Sequence, residues 1–148
     1  MESRKTATVE PCGPVDASIR PPGSKSITNR AVVCAALATG RSHLSGVLDS
    51  DDTRAMIAAW QSLGMEIDQD TDSQQVWISG CNGQLLNRQA EIFVGNSGTT
   101  VRFLTAALAA CEGRFVLDGI ERMRERPIGD LIDALEQLGA HVERRNQR

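Results

Sequence analysis

The feature that most constrains this chain is that it repeats itself. Residues 25–40 laid on 96–111 share Ser26/Ser97, Thr28/Thr99, Ala35/Ala106, Ala36/Ala107, Leu37/Leu108 and Ala38/Ala109. Residues 56–67 laid on 131–142 share Ile57/Ile132, Ala59/Ala134, Leu63/Leu138 and Gly64/Gly139. Alanine-rich helices match by chance, so the shared Leu-Gly helix stop followed by a strand is the better evidence. A repeated unit of this size cannot bury its apolar face alone and must stack on its sisters.

Periodicity and breakers predict the content of each unit. DASIR at 16–20 reads as extended before the Pro21-Pro22-Gly23 break. A helix follows over 25–39, stopped at Gly40, then a strand at 42–48. Asp51, Asp52 and Thr53 offer caps for a helix over 53–63, which Gly64 ends. Strands near 65–68 and 75–79 complete a β-α-β-α-β-β order. The order then restarts: strand 91–94, helix 98–111, strand 114–118, a helix over 127–138 with Pro127 at an early position, and a strand at AHVE, 140–143. The fold class is therefore α/β in repeated β-α-β-α-β-β units. The second unit lacks its last strand, which predicts an incomplete domain of a longer protein, with a sheet edge and apolar surface uncovered.

Composition excludes several classes. The 148 residues hold 41% apolar side chains, enough for a core. A net charge of −3 argues against a nucleic-acid coat or a membrane-surface peptide, and 3% aromatics argues against base-stacking platforms. No apolar run reaches the roughly 18–20 residues of a bilayer span, and the first residues lack a secretory apolar stretch. A soluble cytoplasmic protein is expected. Cys12, Cys34, Cys81 and Cys111 are scattered, without CxxC spacing or a nearby His, and read as reduced thiols rather than metal ligands. His43 reads as a strand residue and His141 as an exposed one; neither pairs with a nucleophile.

Three segments carry chemistry. Pro22-Gly23-Ser24-Lys25-Ser26-Ile27-Thr28-Asn29-Arg30 spans a loop-to-helix transition, where unpaired N–H groups and a partial positive charge suit an anion. Lys25 and Arg30 add charge, and Ser26 and Arg30 are four apart, on one helix face. The spacing is not that of a nucleotide P-loop, because Ser24 separates Gly23 from Lys25. A Ser-capped helix with solvated charges fits the same residues. Gly95-Asn96-Ser97-Gly98-Thr99-Thr100-Val101-Arg102 holds the equivalent place in the second unit; it fits a ligand cradle or a capped glycine turn. In Glu121-Arg122-Met123-Arg124-Glu125-Arg126-Pro127-Ile128, three arginines precede a helix start, as a solvated charge run or as a clamp on a small dianion. The Asp51-Asp52-Thr53 cluster reads as helix capping.

PGSKSITNR, SDDT, GNSGTTVRFL and RMRERPIGDLIDAL, in this order and spacing, resemble the 3-phosphoshikimate 1-carboxyvinyltransferase (EPSP synthase) family. The likeness runs from about residue 10 to the last residue but covers only the first part of the family's two-domain enzyme. It implies the enolpyruvyl transferase fold, an inside-out α/β barrel of β-α-β-α-β-β units around buried helices. Residues 21–148 would be the first two units of the N-terminal domain, while residues 1–20 would belong with the missing second domain. The implied reaction moves the enolpyruvyl group of phosphoenolpyruvate to the 5-hydroxyl of shikimate 3-phosphate and releases phosphate, on the route to chorismate and the aromatic amino acids. It implies no metal or organic cofactor, no nucleic-acid or membrane partner, and a monomer when complete.

Carried over by motif, Lys25 would touch both substrates, and Ser26 and Arg30 would anchor shikimate 3-phosphate. Gly98 would offer its backbone to phosphoenolpyruvate, Arg126 would clamp that anion, and Asn96, Thr99 and Arg102 would shape the loop. The acid/base carboxylates would come largely from the absent domain, so the fragment alone is expected to be inactive. Phe103 stands where many members carry Pro, and Ser97-Gly98-Thr99-Thr100 departs from the commoner Ala-Gly-Thr-Ala, which leaves inhibitor response open. The alternatives are the sister UDP-N-acetylglucosamine 1-carboxyvinyltransferase, whose reactive Cys would fall at Glu121, a stand-alone anion-binding module, or an inactive folding unit.

Overall fold

Three helices start side by side, and that shared origin organises the molecule. The computed structural model describes residues 7–144. Helix α1 (Lys25–Leu37) begins at Ser24, whose Oγ accepts from the Ile27 N–H at 3.4 Å. Helix α2 (Asp51–Ser62) begins at a reciprocal capping box: the Ser50 hydroxyl accepts from the Thr53 N–H, and the Thr53 hydroxyl accepts from the Ser50 N–H. Helix α3 (Gly98–Ala109) begins at Ser97, whose Oγ accepts from the Thr100 N–H at 3.3 Å. The serine starts of α1 and α3 are the two turns that the internal repeat singles out.

Two small sheets flank these helices. Strands β1 (Thr39–Ser45), β2 (Ile67–Asp70) and β3 (Gln75–Cys81) form an antiparallel sheet in the order β1-β3-β2. Registers Leu44↔Val76 and Ile67↔Ile78 put the branched residues of β3 against α1. Strands β4 (Gln89–Phe93) and β5 (Arg114–Asp118) pair in parallel, Ile92 against Leu117. A parallel pair needs a crossover connection, and α3 supplies it. The one-turn helix α4 (Glu121–Arg124) and helix α5 (Gly129–Gln137) follow. The core lies among the helices and between them and the sheets. Val32 and Ala36 of α1, Met56 and Trp60 of α2, Val76 and Ile78 of β3, Val94 and Leu104 are all fully buried. Each large apolar side chain so buried contributes about 1.5–3 kcal/mol.

The expected elements stand with shifted ends, and three expectations fail. Residues 16–20 form no strand; Ile19 is exposed, and no neighbouring strand meets this segment among the described residues. AHVE at 140–143 forms no strand either, because Ala140 instead closes the helix before it through the Leu135 carbonyl. The helix expected over 127–138 begins only at Gly129. Pro127 disfavours helical backbone at Arg126, and its own carbonyl is held from outside by Arg102 Nη2 at 2.8 Å. Helix α1 stops at Leu37 rather than running to Gly40, because Thr39 and Gly40 join β1 opposite Cys81 and Gly80. The Gly64 and Gly139 stops are present, at φ +93° and +94°, the left-handed conformation that glycine adopts without penalty. No helix is long and apolar enough to cross a membrane among the described residues.

Candidate active site

The three helix starts converge on one carboxylate, Asp52. It occupies the second position of α2 and reaches away from its own helix. Its Oδ2 accepts from the Lys25 ammonium at 3.1 Å, and its Oδ1 accepts from the Ser97 hydroxyl at 2.5 Å. Its backbone carbonyl accepts from the Thr100 hydroxyl at 3.1 Å. One aspartate thus ties α1, α2 and α3 together at their positive ends. Burial by itself would raise the Asp52 carboxyl. The hydrogen bonds from Ser97 and Lys25, with the charges of Lys25 and Arg126, outweigh it and hold the group below its ordinary value. Lys25 touches this carboxylate directly, while Arg126, whose Nη1 lies against Gly98 one residue from Ser97, acts on it by its charge without a contact.

Around this point the second unit supplies a cradle. Gly98, the first residue of α3, is buried, and its neighbours are two guanidinium groups. A methyl group added there would sit 2.5 Å from Arg126 Nη1 and 3.1 Å from Arg102 Nη1. Arg102 clasps the turn from behind: Nη1 donates to the Gly98 carbonyl at 3.2 Å and Nη2 to the Pro127 carbonyl at 2.8 Å. It thereby joins the first turn of α3 to the segment that carries Arg126. That segment leaves the carboxyl end of β5 beside the turn that leaves β4, and the Ile120 N–H donates to the Gly95 carbonyl at 3.0 Å. Asn96 is exposed and Thr99 half-buried in the same turn.

The first unit faces this cradle. Lys25 keeps 45% of its side chain accessible despite the contact with Asp52. Ser26 is half-buried, and its carbonyl accepts from Arg30 Nη1 at 3.4 Å. The Arg30 guanidinium lies 5.6 Å from the centroid of the Phe103 ring, so it rests on α3 as well as on its own helix. Lys25, Gly98, Arg102 and Arg126 come together, and Arg30 stands beside them across Phe103. In the arginine run, Arg124 turns away to Asp118 at 2.7–2.8 Å. That contact and the Gly119 N–H pull the Asp118 carboxyl down to about 2. Arg126 is the member of the run aimed at Gly98.

Sequence reading missed Asp52. It placed Asp52 in a capping cluster, but the cap is Ser50, and Asp52 caps nothing in its own helix. The signal available was the Ser50…Thr53 spacing, which already supplies a complete box and leaves the second acidic residue without a capping task.

The arrangement gathers fixed cations beside helix-start N–H groups, which is the chemistry of small multiply charged anions. Comparison with known proteins agrees. The family model of EPSP synthase (3-phosphoshikimate 1-carboxyvinyltransferase) matches residues 9–148. The chain is 50% identical over 133 residues to the 3-phosphoshikimate 1-carboxyvinyltransferase of Laribacter hongkongensis, covering 90% of this chain and 31% of that one. It is 53% identical over 129 residues to that of Thiobacillus denitrificans, covering 86% and 30%. Among solved structures, an EPSP synthase from Acinetobacter baumannii superposes with a TM-score of 0.79 at 28% identity, covering 85% of this chain and 28% of the other. The chain thus spans about a third of the length of the relatives it matches. Motifs, fold and clustered cations agree that this chain belongs to the EPSP synthase family.

Proposed function

We propose that this chain supplies a phosphate-gathering part of a cytoplasmic 3-phosphoshikimate 1-carboxyvinyltransferase, the enzyme that joins the enolpyruvyl group of phosphoenolpyruvate to the 5-hydroxyl of shikimate 3-phosphate. The observation that carries this is the start of α3, where Lys25 reaches across to Asp52, Asp52 is held by Ser97, and Arg126 lies against the next residue, Gly98. Each substrate bears a phosphate and a carboxylate, so the two repel each other, and convergent cations must offset that repulsion before any bond forms. Lys25, set between the two units, suits contact with both substrates. Ser26 and Arg30 on α1 suit the shikimate phosphate. The Gly98 N–H and Arg126 suit phosphoenolpyruvate, with Arg102 holding the turn and Asn96 and Thr99 completing it. Charge-assisted hydrogen bonds of this kind are worth about 1.5–3 kcal/mol each.

Proton transfer to the enolpyruvyl methylene and from the attacking hydroxyl needs acid/base groups, and the cluster described here is cationic apart from Asp52. We assign those groups to a second domain, with residues 1–20 belonging alongside it. Closure of two domains over these groups would then assemble the full site. The test is a hybrid in which this chain replaces the matching segment of the Laribacter relative. Phosphate release that depends on both substrates supports the assignment. A folded hybrid that binds neither shikimate 3-phosphate nor phosphoenolpyruvate overturns it.

A further inference from the structure

Asp52 is the one acidic side chain set among the cations of this site, and it lies where three helix starts meet. A carboxylate there weakens the attraction of the site for any anion, so it needs a compensating task. Its contacts indicate the task. A lysine ammonium has three N–H donors and rotates freely about its last carbon–nitrogen bond. Donation to Asp52 Oδ2 commits one donor and fixes the direction of the other two. The Asp52 carboxylate is itself held from the far side by the Ser97 hydroxyl, which caps α3 one residue before Gly98. The same contact occupies the Ser97 hydroxyl proton, leaving the backbone N–H groups of the turn as donors to a ligand.

We propose that Asp52 is the positioning residue of this site: it aims the Lys25 ammonium so that one donor stays on the protein and two face two separate anions, in register with the α3 turn. The proposal rests on the assignment of Lys25 to both substrates. Asp52 need not touch either substrate; it acts through Lys25 and Ser97.

The sequence makes the test direct, because Lys5 and Lys25 are the chain's only lysines. In the full chain with ¹⁵N-labelled lysine and glycine, the side-chain ammonium region holds two signals, and Lys25→Arg identifies the one that matters. In the parent, the Lys25 signal is expected to be sharp and motionally restricted. It should shift together with the Gly98 amide when shikimate 3-phosphate and then phosphoenolpyruvate are added. In Asp52→Asn the restricted signal is expected to be lost and its shifts to fall at least threefold, while the Gly98 amide still responds. Ser97→Ala, which weakens only the α3 end of the link, should keep a restricted but displaced signal. If Asp52→Asn leaves the Lys25 ammonium as ordered and as responsive as in the parent, the proposal is wrong. Should that variant fail to fold, the unmutated chain decides: a through-hydrogen-bond coupling between Lys25 Nζ and the Asp52 carboxylate carbon supports the proposal, and a freely rotating ammonium overturns it. If neither Lys25 nor Gly98 of the parent answers to either substrate, the functional assignment falls, while the ordering of Lys25 by Asp52 is still read from the spectra without ligand.

Discussion

Gly98 has a hydrogen atom where any other residue would push against Arg126. Gly98→Ala would place a methyl group against the far ends of two flexible side chains, so the backbone keeps its course and the guanidinium groups move. The expected result is a melting temperature within a degree or two of the parent and about tenfold weaker binding of phosphoenolpyruvate, roughly 1.4 kcal/mol, by calorimetry on the hybrid. Lys25→Ala in the same hybrid should cost about 2–3 kcal/mol of transition-state stabilisation, read as a thirtyfold or greater fall in kcat/KM. A change under twofold would remove Lys25 from the site. Asp52 adds a pH signature. Its carboxyl sits below its ordinary value in the folded chain, so the bridge stabilises the fold above the usual carboxylate range and loses that effect as pH falls through the depressed value. Thermal melts should therefore show Asp52→Asn less stable than the parent at pH 7, with the two curves drawing together on acidification.

Among elements, the starts of α1 at Lys25 and α3 at Gly98 are where sequence and structure agree best, while α2 starts two residues early on a Ser50 cap and α5 two residues late. The Ser50–Thr53 box is local chemistry, readable from two letters three apart. Its loss in Ser50→Ala should lower stability by about 1 kcal/mol in urea unfolding. The strands at 91–94 and 114–118 and the helix between them were legible from their residues, whereas the parallel pairing of β4 with β5 was read only in the structure, where α3 supplies the crossover it needs. The turns around Gly98 and the Lys25 segment were legible through composition, since glycine, serine and basic residues at a helix start have few other uses. What could not be read locally depends on partners distant in sequence. Arg102 holds the Pro127 carbonyl from 25 positions away, just ahead of α5. Asp52 finds Ser97 across 45 positions. The strands expected at 16–20 and 140–143 had suitable residues but no ladder to join. The internal repeat also misled by a small register error. It aligns Ser26 with Ser97, whereas the serines that start α1 and α3 are Ser24 and Ser97.

At the scale of the whole molecule, the described residues form a packed body with Trp60, Met56 and Leu104 in its core, and the helix starts gather Lys25, Arg102 and Arg126 around Asp52. Gathering anions and moving protons are separable tasks, and this chain is equipped for the first. The 148 residues alone should release no phosphate from a mixture of the two substrates, while the hybrid should; continuous phosphate detection on both decides this. One consequence follows from the way β4 and β5 lie parallel with α3 between them. Both connecting turns leave from the same end of that ladder, so the positions in them that carry no structural contact, unlike Ser97 and Gly119, can be exchanged while every rung stays paired. A lineage with this topology can retune what it grips by rewriting exposed letters after Val94 and Asp118, such as Asn96, while the strands beneath keep their register.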